Sequence, residues 1–215
     1  MKSKFQFLCI VLIVSITFAC KKENPILPTI INGQVLERGS NNPLEGVKVV
    51  LMEGTYNGSG SGTYSYRPID TMITDKQGRY TYKDIIQGDL KDYILRFYKD
   101  NYFSITDAQN EVSVEWNKTS SPITKMYAFG WITIRVVNDK PFDYFDKIKI
   151  GGLWDAGGLD DTYYGKNTNV TFTKKIRSGE KVALKWFVSK NNTSVSFIDS
   201  IYIKPQDTTY YQIKY

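Results

Sequence analysis

A side-chain alternation with period two runs through most of this chain and constrains its fold more than any other feature. Apolar residues recur at every second position in segments 47–51, 93–97 and 132–136. This period is typical of a β-strand with one buried face, and no segment shows the 3.6-residue period of an amphipathic helix. Turn-forming sequences such as 75–78 and 177–179 separate the strand-like segments. The sequence therefore predicts an all-β chain.

The spacing of these segments predicts two consecutive antiparallel β-sandwich domains. Short strands with frequent turns are typical of sandwiches, and one small sandwich takes about 100 residues. We place the boundary near residues 128–130, which gives domains at 29–128 and 129–215 that should touch. Aromatic residues make up 14 % of the chain, including 16 tyrosines. This enrichment fits strands, and an aromatic binding surface is the alternative interpretation.

The N-terminal residues have the composition of a secretory leader that ends at a cysteine. An apolar run follows a basic start, extends from Phe5, and reaches Ala19 just before Cys20. The run is too short to cross the roughly 30 Å hydrocarbon core as a helix, and its layout matches a cleaved signal peptide. Residues 17–20 resemble the lipoprotein signal of Bacteroidetes, with Thr17 where Leu is usual. An ordinary signal peptide with a chance cysteine is the alternative.

This resemblance implies a lipoprotein of the bacterial envelope. Residues 1–19 would be the signal peptide, Cys20 would carry the lipid, and residues 20–28 would form a polar tether. Two or more acyl chains, palmitate among them, hold a protein stably on a membrane. We therefore expect a lipid-anchored protein of the outer membrane, on the cell surface or the periplasmic face.

The lack of histidine, and of any cysteine after Cys20, limits the reactions that the mature chain could catalyse. The chain has no histidine, and its two cysteines are Cys9 in the leader and Cys20 at the lipid site. Disulfides, cysteine nucleophiles, histidine-dependent catalysis and the usual zinc sites are thereby excluded from the mature chain. The net charge of +6 falls to +4 without Lys2 and Lys4, which does not indicate a nucleic-acid partner. We predict no cofactor, no metal and no enzyme activity, with a carboxylate-dependent hydrolase as the remaining catalytic alternative.

Three short patterns between residues 30 and 103 carry a family resemblance. A glycine-containing strand at 31–35 leads to Pro-Leu-x-Gly-Val at 43–47, Thr-Asp-x-x-Gly-x-aromatic follows at 74–80, and a third pattern starts at Gly88-Asp89 and ends at Asn101-Tyr102. Together they resemble the carboxypeptidase regulatory-like domain. The resemblance implies a transthyretin (prealbumin)-like sandwich and, in Bacteroidetes, an accessory role in proteins that handle glycans.

Two turns in these patterns have a physical rationale. Pro43 and Gly46 should set the turn into the second strand. Asp75 should accept hydrogen bonds from the backbone of its own turn, and Gly78 should take the positive φ of a tight hairpin.

Aromatic and acidic residues mark two candidate ligand sites. We predict a loop at 151–165 and an elongated, exposed loop at 54–66. Ring faces can stack on sugar C–H groups and carboxylates can accept from hydroxyls; the alternative is a Gly-Asp loop whose rings cap the sandwich. The candidate ligand-binding residues are Trp154, Asp155, Asp160, Asp161, Tyr163 and Tyr164 in the former, and Tyr56, Tyr64 and Tyr66 in the latter.

Three further residues are candidate O-glycosylation sites. Thr71, Ser200 and Thr208 each follow an aspartate, in triplets that resemble the Asp-Ser/Thr-aliphatic signal of Bacteroidetes. Our leading hypothesis is a non-catalytic accessory lipoprotein that binds a glycan or an envelope protein. The alternative is a structural adhesin or fimbrial-type subunit that donates its terminal strand, 209–215, to a neighbour.

Overall fold

The computed structural model describes residues 27–58, 63–86, 88, 91–106, 111–152 and 159–215. These residues form strands and turns, and no helix among them is long and apolar enough to span a membrane. The strands are β1 (Thr29–Glu37), β2 (Lys48–Asn57), β3 (Thr63–Ile73), β4 (Arg79–Asp84), β5 (Lys91–Tyr98), β6 (Val112–Ser113), β7 (Thr119–Ser120), β8 (Ile123–Met126), β9 (Phe129–Val137), β10 (Lys147–Gly152), β11 (Leu159–Tyr164), β12 (Asn169–Arg177), β13 (Lys181–Lys190), β14 (Thr193–Tyr202) and β15 (Thr208–Lys214).

Strands β1 to β8 form the first sandwich. One sheet has the order β4-β1-β7, with β8 also paired to β1, and the other has the order β3-β2-β5-β6. Alternate residues of β1, such as Ile31 and Val35, are fully buried and pack against Leu51 and Phe97 of the other sheet. The apolar side chains of the period-two pattern therefore fill the space between the two sheets, as predicted.

Strands β9 to β15 form the second sandwich. Its sheets have the orders β12-β9-β15 and β11-β10-β13-β14. Ile132 and Ile134 of β9 face Ile148 and Ile150 of β10 within one buried cluster. The predicted class, all-β with sandwich domains, is confirmed.

Most strand pairings are antiparallel, but three are parallel. Strand β1 pairs in parallel with both β7 and β8, and β15 pairs in parallel with β9. Side-chain alternation indicates which face is buried and carries no information on strand direction, so the sequence did not predict these pairings.

The two predicted turns have the expected geometry. Gly46 and Gly78 have φ values of 72° and 70°. Asp75 Oδ1 accepts hydrogen bonds from the backbone N–H groups of Gln77 and Arg79, each at 2.8 Å. Both predictions are confirmed.

The two sandwiches are in contact around the junction of β8 and β9. The Ser178 hydroxyl donates to the carbonyl oxygen of Ala128 at 2.8 Å. The rings of Phe103 and Phe129 meet edge to face at 4.7 Å, and Lys175 lies over the Phe129 ring. Residues before and after the junction therefore form one contact surface.

Candidate functional site

The loop between β9 and β10 displays large apolar side chains to solvent. Phe142, Tyr144 and Phe145 are 60 %, 71 % and 86 % exposed, and Tyr164 at the end of β11 is 67 % exposed. These four residues are called the aromatic end of the second sandwich. Clustered exposed apolar residues mark binding surfaces more often than isolated ones do.

A buried carboxylate holds this loop in place. Asp146 is fully buried, and its Oδ2 accepts from Asn138 Nδ2 at 2.7 Å and from the Phe142 N–H at 2.9 Å. Its Oδ1 accepts from the Asp143 N–H at 3.3 Å. The Asp143 carboxylate in turn accepts from the Phe145 N–H at 2.8 Å. The exposed rings therefore sit on a backbone fixed by charge-assisted hydrogen bonds.

The negative charge of Asp146 is stabilised by hydrogen-bond donors and a lysine of the same sandwich. Burial by itself would raise the pKa of Asp146, but the hydrogen bonds from Asn138, Phe142 and Asp143 lower that pKa below its ordinary value. Lys190 Nζ lies 3.9 Å from Asp146 Oδ2, and burial lowers the pKa of Lys190. The carboxylate therefore stays ionised and occupied by internal donors.

An open cavity of about 350 Å³ adjoins the aromatic end. It is lined by Tyr144, Tyr163 and Tyr164 together with Lys166 and residues 167–169. Lys166 Nζ lies 4.4 Å from the centre of the Tyr144 ring, a cation–π distance. The cavity combines aromatic surface with amide, hydroxyl and ammonium groups, the composition of many small-ligand sites.

The structure places four of the predicted site residues on a strand. The predicted loop at 151–165 is wrong for its second part, because β11 pairs with β10, with Asp161 opposite Ile150 and Tyr163 opposite Ile148. Tyr163 packs on Phe172 at 6.0 Å.

The residues of β11 that the sequence analysis grouped therefore have different surroundings. Asp160 is exposed and pairs with Lys149 at 3.0 Å. Of the four predicted residues on β11, Tyr163 and Tyr164 line the cavity, whereas Asp160 and Asp161 do not. Trp154 and Asp155 lie outside the described residues.

The second predicted site is a hairpin. The predicted loop at 54–66 is wrong for most of its length, because β2 and β3 pair up to Asn57 and Thr63, with Tyr56 opposite Tyr64. Those two rings meet at 5.5 Å and are exposed. Tyr66 is half-buried, and its hydroxyl donates to Asp92 Oδ2 at 2.6 Å. Burial and this hydrogen bond raise the pKa of Tyr66.

Sequence reasoning missed the loop that carries three of the exposed rings. It gave no role to Phe142, Tyr144 or Asp146. The available signal was the alternation of aromatic and acidic residues in Phe-Asp-Tyr-Phe-Asp directly after a proline.

The other buried carboxylate of the described residues is also neutralised internally. Glu53 accepts from Arg67 at 2.7 Å and from Lys91 at 2.8 Å. The hydrogen bonds from Lys91 and Arg67 lower the pKa of Glu53. Within the described ranges, no group of three or more His, Cys, Asp or Glu residues could hold a metal ion.

The candidate O-glycosylation residues share a local geometry. The backbone N–H groups of Thr71, Ser200 and Thr208 donate to the carboxylate of the preceding aspartate, at 2.7, 2.7 and 2.6 Å respectively. Thr71 and Ser200 are exposed and Thr208 is half-buried. Their modification remains a prediction.

A second apolar surface lies beside the edge strand β14. Val195 and Phe197 of β14 are about half exposed, and Phe197 stacks on Trp186 of β13 at 5.5 Å. They line an open cavity of about 390 Å³ whose rim carries Lys140 and Lys214.

Comparison with known proteins adds little to this description. No family model and no curated protein matches the chain, so the carboxypeptidase regulatory-like and lipoprotein assignments remain predictions.

The solved structures that resemble the chain are distant. The Bacillus anthracis TIE protein is 10 % identical over 87 % of this chain and 34 % of its own, with a TM-score of 0.36. A streptococcal ancillary pilin is 15 % identical over 89 % and 63 %, with a TM-score of 0.34. A putative cell adhesion protein of Bacteroides ovatus is 8 % identical over 89 % and 93 %, with a TM-score of 0.27. The chain thus spans less than two thirds of the first two, and the likeness is too loose to indicate function.

Proposed function

We propose that this chain is a non-catalytic binding protein of the bacterial envelope that recognises a glycan at its aromatic end. The observation that carries the proposal is the set of exposed rings held by buried Asp146 beside an open, tyrosine-lined cavity. A surface that is already ordered before binding loses less entropy when a ligand arrives.

The chemistry of the cavity suits a sugar. The tyrosine rings of the cavity offer apolar faces, and their hydroxyl groups can add polar contacts. Asn167 and Asn169 supply amide donors and acceptors among the residues that line the cavity. A glycan presents the same combination of C–H surfaces and hydroxyl groups.

Loss of a cavity ring should weaken this binding. We expect Tyr144→Ala and Tyr164→Ala each to lower the affinity several-fold, and up to about tenfold, since an aromatic contact contributes about 0.5–1.5 kcal/mol. Glycan-array screening of the full chain followed by calorimetric titration measures the effect. Tyr210→Ala is the matched control, because Tyr210 is 78 % exposed and lies outside the cavity. Absence of any glycan ligand, or equal binding by all variants, would refute the proposal.

The absence of catalysis is part of the same proposal. Glu53 and Asp146 are each occupied by internal donors, so neither buried carboxylate is free to act on a bound glycan. A hydrolase would need two such groups facing a substrate. Hydrolysis of any bound glycan by the purified chain would contradict this part.

We further propose that Cys20 carries the lipid that anchors the chain to the outer membrane. The apolar leader before it supports this assignment. Metabolic labelling with a palmitate analogue should mark the wild-type protein and leave Cys20→Ser unmarked. Equal labelling of the two, or none in the wild type, would overturn the anchor.

A structural subunit is the second candidate function, and the edge of β14 favours it. Strand β14 lies at the edge of its sheet, and eight consecutive residues of it, 193–200, are exposed. An unpaired edge can accept another strand. The terminal strand is the less suitable donor, because β15 already pairs with β9 along Thr208–Lys214.

An assembly through β14 should depend on its apolar cavity. Phe197→Lys would place a further cation beside Lys140 and Lys214, and we expect it to abolish self-association seen for the wild type by light scattering at rising concentration. Phe145→Lys is the control, because Phe145 is exposed but does not line this cavity. A wild-type chain that stays monomeric throughout would rule out self-assembly by this edge.

A further inference from the structure

An amine, a carboxamide and a carboxylate meet in the second sandwich. Lys190 Nζ lies 2.6 Å from Asn138 Oδ1, and Asn138 Nδ2 donates to Asp146 Oδ2 at 2.7 Å. The amine thus contacts the carboxamide oxygen, and the carbon bonded to that oxygen, Cγ, is the atom that the amine could attack. The carboxylate is bound to the nitrogen that would leave.

The surroundings of the three groups keep them in contact with each other and largely away from water. Asp146 and Asn138 are buried, and the Lys190 side chain is 18 % exposed. The Tyr215 ring centre lies 4.7 Å from Nζ, and Nζ also donates to the Lys140 carbonyl at 2.7 Å. Such fixed proximity converts a slow bimolecular step into a unimolecular one.

We propose that Lys190 and Asn138 form an intramolecular isopeptide cross-link, with Asp146 as the proton relay. The Nζ–Cγ bond forms and the Cγ–Nδ2 bond of Asn138 breaks. Two protons leave the lysine ammonium for the departing nitrogen, one of them by way of Asp146, and ammonium is released. No oxidant, reductant or cofactor enters the balance.

The electrostatics support this chemistry. Burial lowers the pKa of Lys190, which increases the fraction of neutral, nucleophilic amine. Asp146 accepts a hydrogen bond from the leaving nitrogen before reaction, so it can return a proton there without rearrangement.

The cross-link would join the two sheets of the second sandwich. Lys190 ends β13 and Asn138 follows β9, and these strands lie in opposite sheets. A covalent bond between them closes a long loop of chain, which limits the unfolded ensemble. It would also fix one end of the loop that carries the aromatic end, although the inference does not depend on glycan binding.

The first sandwich provides an internal comparison. Lys125 Nζ also lies 2.6 Å from an asparagine oxygen, Asn41 Oδ1, but this pair is exposed. No carboxylate is hydrogen-bonded to the Asn41 side chain within the described part of the chain. We therefore expect a cross-link at 138–190 and none at 41–125.

Mass spectrometry of the full chain tests the proposal. The wild type should weigh less than its unlinked composition by one ammonia per molecule, and a protease digest should contain one joined peptide with Asn138 and Lys190. Lys190→Arg keeps the charge but cannot form the bond, so its mass deficit should vanish. Lys125→Arg should retain the deficit.

Two results would overturn the inference. One is a wild-type mass that differs from that of Lys190→Arg by the substitution alone. The other is recovery of separate peptides for Asn138 and Lys190 from folded, aged protein. Because Lys190→Arg can keep its hydrogen bonds to Asn138 and Lys140, a loss of folding does not obscure the comparison; circular dichroism of both proteins checks this.

Discussion

Asp146→Ala should lower the free energy of unfolding by about 3–5 kcal/mol, the range found when one partner of a buried ionic cluster is removed. The carboxylate is fully buried and accepts hydrogen bonds from Asn138, Phe142 and Asp143. Alanine leaves these donors without acceptors and removes the anion that faces Lys190. Each unsatisfied buried donor costs about 1–3 kcal/mol.

The measurement is chemical denaturation followed by circular dichroism. Asp139→Ala is the control, since Asp139 lies in the same loop but is exposed, and exposed substitutions usually stay within about 0.5 kcal/mol. Glycan binding by Asp146→Ala should also fall, because the backbone under Phe142 and Phe145 loses its support. A change in stability below about 1 kcal/mol would show that Asp146 does not hold the loop.

Local chemistry was sufficient to predict the strands with a regular apolar alternation and the turns with glycine. The alternation at Val47, Val49 and Leu51 depends only on which face is buried, and all three are buried. Gly78 takes its positive φ because a turn of this length needs it. These features follow from near neighbours in the chain.

Strand partners could not be read from the sequence. Segment 159–164 contains aspartates and follows glycines, which is typical of a loop, yet pairing with β10 makes it a strand. Tyr56 and Tyr64 likewise extend a hairpin because each pairs with the other. Hydrogen bonds to a strand that is distant in the sequence outweigh the local preference for a loop, and composition gives no sign of them.

The candidate site was predicted only in part for the same reason. Tyr163 and Tyr164 line the cavity as expected, whereas Tyr144 joins them from another loop. The contact between Lys190 and Asn138 spans a separation of 52 residues. No sequence pattern links residues this far apart, and their contact exists only because the two sheets pack together.

The contact between the two sandwiches leads to the second large effect. Gly39 has a φ of 97°, and a Cβ added there would lie 2.2 Å from the backbone oxygen of Gly179. The positive φ of Gly39 and the nearby Gly179 oxygen both belong to the backbone, so the strain cannot be relieved by the movement of a side chain. Arg38 and Glu180, which flank this contact, lie 4.0 Å apart.

We expect Gly39→Ala to lower the free energy of unfolding by about 2–6 kcal/mol, from a strained dihedral of about 1–3 kcal/mol and an overpacking cost of about 1–3 kcal/mol. Gly165→Ala separates the two contributions, because Gly165 has a similar φ of 99° and nothing within 4 Å of its added Cβ. Denaturant titration should give a loss of about 1–3 kcal/mol for Gly165→Ala. Of these two glycines, Gly39 contacts the other sandwich and Gly165 does not. Equal losses for the two variants would therefore mean that the sandwiches move apart at this contact without a cost in stability.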